Sequence, residues 1–305
     1  MAEPKTAPHP EDWFYPSSNF GALPPELSGA DNSRIVLLPV PYESTTTYRA
    51  GCRGGPAAVI EASSNMELYD EDLRREPCEI GVHTSAPLDV VDDPEEMLGR
   101  VEAVASAHLS RGKFVTALGG EHTVTLGMAR ALGRAHSPLS VLFLDAHADF
   151  RQSYRGNKYN HACVARRVSE ICHLVQAGVR SLSAEEARAL EDKEIATFWA
   201  SEFRAARLGG GLRDLIARLL DELAENVHVS LDVDVFDPSF MPAVGTPEPG
   251  GLVWDEVIEL MRAVAGERNL VGLDLVELAP VDGLVHPQFA AARLLYKVWG
   301  FALRP

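Results

Sequence analysis

Val141-Leu142-Phe143-Leu144-Asp145-Ala146-His147-Ala148-Asp149 joins four large apolar residues to three polar ones at alternate positions. The apolar run lacks the polar alternation of a sheet with one wet face, which predicts a strand covered on both sides. In extended backbone, residues two apart point the same way. Asp145 and His147 therefore face one space, and Asp149 can curl back towards it where the strand stops. Two other stretches repeat the plan. His228-Val229-Ser230-Leu231 runs into Asp232-Val233-Asp234, and the apolar residues 114–118 run into Gly119-Gly120-Glu121-His122.

Further apolar runs lie at 35–40, 174–178, 196–200 and 270–276. Helix-like amphipathic stretches lie near 56–69, 94–111, 122–135, 161–171, 184–192, 211–225, 254–266 and 287–300. Pro56 after Gly54-Gly55, and Pro94 after Asp92-Asp93, are helix-start signals. This alternation predicts a single α/β domain of three layers, with a mostly parallel sheet between two layers of helices. Residues 1–33 are rich in Pro, Ser and acidic side chains and carry Trp13-Phe14-Tyr15. They read as an N-terminal arm whose aromatics need a surface, either the core or a neighbouring subunit. The main domain then occupies 34–305. In open parallel sheets chemistry collects at the carboxyl ends of strands, where all three polar groups fall.

The chain has 305 residues, enough to bury a full core, and 28 Lys+Arg against 44 Asp+Glu, a net charge of -16. That balance disfavours nucleic acid and anionic membranes as partners and favours cationic small molecules and metal ions. No apolar run approaches the ~20 residues of a membrane helix. The first residues, MAEPKTAPHPEDW, hold no apolar signal core, so a cytoplasmic protein is expected. Cys52, Cys78, Cys163 and Cys172 form no CxxC pair and read as reduced thiols.

A D-x-D arises about once by chance in a chain of this composition, whereas D-x-H-x-D is expected only ~0.03 times. The second D-x-D, Asp70-Glu71-Asp72, reads as a solvated acidic patch. The combination of the three strand-end groups is what carries meaning. Four carboxylates converging on one edge repel strongly unless cations compensate them. Two divalent ions match the charge of Asp145, Asp149, Asp232 and Asp234, and His122 and His147 add neutral nitrogen donors. Carboxylate and imidazole donors without thiolate suit Mn²⁺, with Fe, Co, Ni or Zn as alternatives. A pair of such ions brings a bridging water to hydroxide near neutral pH.

The motifs at 119–123 (Gly-Gly-Glu-His-Thr), 145–149 (Asp-Ala-His-Ala-Asp) and 230–238 (Ser-Leu-Asp-Val-Asp-Val-Phe-Asp-Pro) together resemble the ureohydrolase (arginase–agmatinase) superfamily. The likeness spans roughly residues 34–300, with further matches at 41–45, 51–56 and 245–252, the last similar to agmatinases especially. It implies an arginase-like fold in a homo-trimer or homo-hexamer, with two Mn²⁺ per subunit. One ion would be held by His122, Asp145, Asp149 and Asp232, the other by Asp145, His147, Asp232 and Asp234. It also implies that Asp149 orients the attacking hydroxide, that Glu277 binds the guanidinium, and that His161 shuttles protons from a mobile loop. By itself, Glu277 is a lone acid at a strand end that needs a cation, whether substrate or an arginine. By itself, His161 reads as a helix cap or a packed side chain.

The implied reaction is hydrolysis of a small cationic guanidino substrate, agmatine, to putrescine and urea. Residues 150–161 do not match the loop with which arginases hold an α-carboxylate and α-amine, which fits a substrate lacking them. Arg151 and Arg155 suit either surface ion pairs or a carboxylated substrate such as 4-guanidinobutyrate. Pro242-Ala243-Val244-Gly245 departs from the family's usual Pro-Gly-Thr-Gly, which leaves the metal set untouched but bears on the pocket wall and so on substrate choice. Another guanidino compound or arginine is the alternative substrate. A non-catalytic binding protein is disfavoured by the complete donor set.

Overall fold

A computed structural model describes residues 19–304; Trp13-Phe14-Tyr15 lies outside them. The apolar runs form strands β1 (Ile35–Val40), β2 (Val82–Thr84), β3 (Phe114–Gly119), β4 (Leu139–Leu144), β5 (His173–Val179), β6 (Ala196–Trp199), β7 (Asn226–Asp232) and β8 (Asn269–Val276). All pairings are parallel, and the order is β2-β1-β3-β8-β7-β4-β5-β6. Alternate side chains feed two cores. In β4, Leu142 and Leu144 join the one, while Val141 and Phe143 join the other. A strand with both faces buried has no use for a polar alternate, which is why these runs read as continuously apolar.

Helices α1 (Pro25–Ser28), α2 (Gly55–Ser63), α3 (Pro94–Leu109), α4 (Thr125–Ala135), α5 (Val164–Val168), α6 (Ala184–Asp192), α7 (Ala200–Gly209), α8 (Leu212–Asp221), α9 (Trp254–Glu267) and α10 (His286–Ala302) complete the layers. Val59, Phe203, Leu219, Val257 and Leu294 bring α2, α7, α8, α9 and α10 to one face; Val101, Leu132, Val164 and Leu190 bring α3, α4, α5 and α6 to the other. The expected three-layer α/β architecture is therefore observed. The sequence pattern missed β2, whose three residues are too few to show a run, and α7, which follows β6 without a loop. Ahead of β1, Phe20 is buried and meets Trp299 edge-on at 4.8 Å.

Of Asp70-Glu71-Asp72, expected as a solvated patch, Glu71 and Asp72 are exposed but Asp70 is not. Asp70 is fully buried and lies 3.0 Å from the Lys297 ammonium, which also meets Asp72 at 3.0 Å. A buried cation supplied by α10, distant in sequence, draws Asp70 inward. All four cysteines are free thiols, as expected. Among the described residues no helix is long and apolar enough to cross a membrane.

Strand order does the functional work. β3, β8, β7 and β4 are adjacent at the middle of the sheet. Their carboxyl ends deliver His122, Glu277, Asp232 with Asp234, and Asp145 to one crevice.

Candidate metal centre

His122 opens a short 3-10 turn, His122–Val124, just past β3. Its Nδ1 lies 3.1 Å from Asp145 Oδ2, 3.4 Å from Asp149 Oδ2 and 3.3 Å from Asp232 Oδ2. His147 Nδ1 lies 2.9 Å from Asp234 Oδ2 and 3.6 Å from Asp145 Oδ1. Two groups of donor atoms result, His122/Asp145/Asp232 and Asp145/His147/Asp234, each with all its atoms within 4.8 Å of one another. Asp145 belongs to both.

The spare oxygens explain how each carboxylate is aimed. Asp145 Oδ1 accepts from His147 N–H at 2.6 Å, Asp232 Oδ1 from Asp234 N–H at 2.8 Å, and Asp234 Oδ1 from Ala146 N–H at 3.0 Å. Backbone donors hold one oxygen of each and leave the other turned to the crevice. On the far side of the His122 ring, Nε2 meets Ser230 Oγ at 2.8 Å, and that hydroxyl donates to Asp274 Oδ1 at 2.8 Å. With the hydroxyl proton spent on Asp274, Nε2 must donate, and Nδ1 is the nitrogen that faces three carboxylates. Burial works against a charged ring, yet Asp145, Asp149 and Asp232 raise His122 well above its ordinary value, so a cation bound there would replace a proton on Nδ1.

Those donors fit cations. His122 Nδ1 and Asp145 Oδ2 are buried and make no hydrogen bond despite their closeness. A proton on Nδ1 would serve only one of the three carboxylates around it. Bonds of about 2.1 Å to a common centre put neighbouring donors ~3.0 Å apart in an octahedron and ~3.4 Å in a tetrahedron, the spacing seen around His122.

Without cations the centre is electrostatically frustrated. Burial, then the neighbouring Asp145, pushes Asp149 up to about 7. Burial and the charges of Asp234 and Asp145 push Asp232 well above the carboxylate range. Burial works against a charged His147, yet Asp234 and Asp145 push it up to about 12. Two of the placements are also strained: Asp149 (φ 46) and Glu277 (φ 65) adopt left-handed backbone without being glycine.

A cavity of about 290 Å³ opens onto this cluster. His147, Asp149, Asp232, Asp234 and Glu277 line it together with His161, Thr46, Thr47, Tyr48, Arg151, Tyr154 and Glu186. Glu277 Oε1 accepts from His122 N–H at 2.7 Å, and among the described residues no Lys or Arg forms a salt bridge with its carboxylate. Burial, then Glu121, pushes Glu277 up to about 8. His161 starts a turn capped by Asn160, and burial, ahead of neighbouring His122 and His147, lowers it to about 4. Gly245 and Thr246 line the wall, and Arg49 donates to the carbonyls of Val244, Ala279 and Pro280 behind it.

A model of the arginase family matches residues 33–300. The chain belongs to the arginase family. Among curated relatives, the N(1)-aminopropylagmatine ureohydrolase of Synechocystis sp. is 42% identical over 278 residues, 88% of this chain and 89% of the relative. The agmatinase of Pyrococcus horikoshii is 33% identical over 274 residues, 88% and 92% of the two chains. Among solved structures, the agmatine ureohydrolase of Thermoplasma volcanium superposes with a TM-score of 0.83 at 32% identity, covering 90% of this chain and 92% of that one. The arginase-like fold and the ureohydrolase resemblance expected from the motifs are thereby established, and with them a hydrolase of guanidino compounds.

In this arginase-family chain the crevice gathers all six of the expected donors plus Glu277 and His161. Sequence reasoning missed Glu186, whose carboxylate accepts from Phe150 N–H at 3.0 Å and Ser183 N–H at 2.9 Å. Its signal was legible, since Ser183-x-x-Glu186 is a helix capping box. Arg151 lines the cavity with its guanidinium 3.6 Å from Glu186; Arg155 is exposed and donates to Thr47 O at 3.5 Å.

Proposed function

We propose that this chain is a binuclear manganese ureohydrolase that releases urea from an agmatine-type guanidino amine, with N(1)-aminopropylagmatine ahead of agmatine. The observation that carries the reading is His122 Nδ1 set within 3.4 Å of carboxylate oxygens of Asp145, Asp149 and Asp232, with Glu277 on the cavity beside them. His122, Asp145, Asp149 and Asp232 would hold one ion, and Asp145, His147, Asp232 and Asp234 the other. Bound there, two divalent ions supply the positive charge that lets a water act as nucleophile near neutral pH.

The protein's own groups do the rest. Glu277 keeps one oxygen for His122 N–H and turns the other to the substrate guanidinium, fixing its carbon beside the cluster. Asp149 orients the attacking water. His161, uncharged at neutral pH, takes the proton released on attack and passes it to the departing amine, so that urea and a protonated amine leave. Arg151 is partnered by Glu186, so its guanidinium is not free to clamp a carboxylate. The higher identity to N(1)-aminopropylagmatine ureohydrolases than to agmatinases favours the extended amine. The unit is proposed to act as a homo-trimer or homo-hexamer, with residues 1–33 an arm beside the catalytic domain 34–305.

A manganese-loaded substrate panel tests this. The two amines are expected to give kcat/KM at least ~10-fold above 4-guanidinobutyrate and arginine, a gap of about 1.4 kcal/mol in transition-state binding. Preference for 4-guanidinobutyrate would instead assign Arg151 to the substrate.

Metal loading should also depend on pH. Asp149, Asp232 and His147 have folded values above their ordinary ones, so near neutrality the metal-free fold holds protons that the unfolded chain does not. Its stability therefore falls as pH rises. Cations that displace those protons gain over the same range. Added Mn²⁺ is expected to raise Tm more at pH 8 than at pH 6, and equal shifts would contradict the shared site.

A further inference from the structure

Glu121 follows Gly119-Gly120 and precedes His122, yet its side chain turns away from the metal centre towards residues 43–47. It is completely buried. Its Oε2 accepts from Ser44 N–H and Thr45 N–H, both at 2.7 Å. Its Oε1 accepts from the hydroxyls of Thr45 at 2.7 Å and Thr123 at 2.6 Å. Among the described residues it has no salt-bridge partner. Four donors satisfy the carboxylate, and two of them come from a residue, Thr45, that touches His161.

Thr45 Oγ1 lies 3.0 Å from His161 N and 3.3 Å from His161 Nδ1. A hydroxyl has one proton, and an ionised carboxylate can only accept. With that proton committed to Glu121, Thr45 Oγ1 has only lone pairs to offer His161. The backbone N–H takes one of them. A bare Nδ1 would set lone pair against lone pair, so Nδ1 must carry hydrogen. The other ring nitrogen, Nε2, is then bare, 3.4 Å from Thr47 Oγ1, a residue that lines the cavity.

We infer that Glu121 and Thr45 are positioning residues that set the tautomer of His161 through a carboxylate–hydroxyl–imidazole chain, so that Nε2 faces the substrate as a base. This rests on the ureohydrolase reading of the site. Neither residue touches the reacting atoms. Glu121 fixes the direction of the Thr45 proton; Thr45 fixes which nitrogen of His161 is bare. The proton that Nε2 takes on when water attacks then goes to the departing amine nitrogen, while Nδ1 keeps its own throughout.

The test uses the metal-loaded enzyme, with Thr45→Val and Thr45→Ser compared on two substrates. One is the preferred guanidino amine. The other is its isothiourea counterpart, with sulfur in place of the leaving nitrogen. Water cleaves its C–S bond to urea and a thiolate, which departs without a proton. Thr45→Val is expected to lower kcat on the guanidine by ~10- to 100-fold, less than the ~100- to 10,000-fold of a full general acid–base effect because Thr45 acts through His161. KM and metal content should stay near wild type, while Tm falls because Glu121 loses one of its four donors. The loss on the isothiourea should be several-fold smaller, and Thr45→Ser should recover most of the activity. Glu121→Gln, whose amide can donate to Thr45 and so reverse its hydroxyl, should follow Thr45→Val.

Retention of kcat by Thr45→Val, equal losses on both substrates, or failure of serine to restore activity overturns the positioning role. An inactive wild type on every guanidine overturns the ureohydrolase reading itself, and the two failures are told apart by the wild-type assay.

Discussion

Asp145→Asn is expected to lower urea release at least ~1000-fold, a loss of about 4 kcal/mol in transition-state stabilisation, while the sheet persists. Asp145 is the residue that both donor groups share. Asparagine keeps the oxygen that accepts from His147 N–H at 2.6 Å, and the backbone bond from Asp145 N–H to Ala177 O at 3.0 Å is untouched. What goes is one negative charge at the centre of the cluster and one oxygen facing His122 Nδ1. Elemental analysis should find fewer than two manganese ions per chain, and circular dichroism should find the wild-type fold. Asp232→Asn should behave alike, because its Oδ2 is the neighbour of the same Nδ1 at 3.3 Å. Normal turnover by either variant would show that the six groups are not the working centre.

Glu277→Gln is the second large effect, about 100- to 1000-fold in kcat/KM. Removing one partner of a buried charge pair costs roughly 2–5 kcal/mol, because the other charge is left unpaired. Glutamine can still accept from His122 N–H at the position Glu277 Oε1 holds. Its amide nitrogen then presents hydrogens to a guanidinium that has only hydrogens to give. Both KM and kcat should suffer, since the group that holds the substrate also sets its carbon beside the attacking water. Metal content should be unchanged, which separates this variant from Asp145→Asn. A loss below about 5-fold would place the guanidinium elsewhere in the cavity.

Much of the site is legible in the sequence. Strands buried on both faces announce themselves as unbroken apolar runs, and polar residues at their ends are conspicuous against them. His122, Asp145, His147, Asp149, Asp232 and Asp234 stood out for that reason. Glu277 and His161 did not, because a single acid or histidine at the end of a run has ordinary explanations; the family motifs singled them out. β2 has only three residues, too few for a period to emerge. Asp70 misled because its partner, Lys297, lies more than two hundred residues away, and composition cannot say which cation will fold against which acid.

The order of apolar and polar residues along the chain determined the layered α/β class and the chemical character of the centre. Both follow from local rules: a period of two, a covered strand, and the type of donor atom. Three matters belonged to the tertiary structure alone. Insertion of β8 and β7 between β3 and β4 brought four distant strand ends to one crevice. Arg151 was turned towards Glu186 and away from the role of a free substrate clamp. Glu121 was joined through Thr45 to His161. Each depends on contacts between segments far apart in the chain, and such contacts are decided only when the whole core packs.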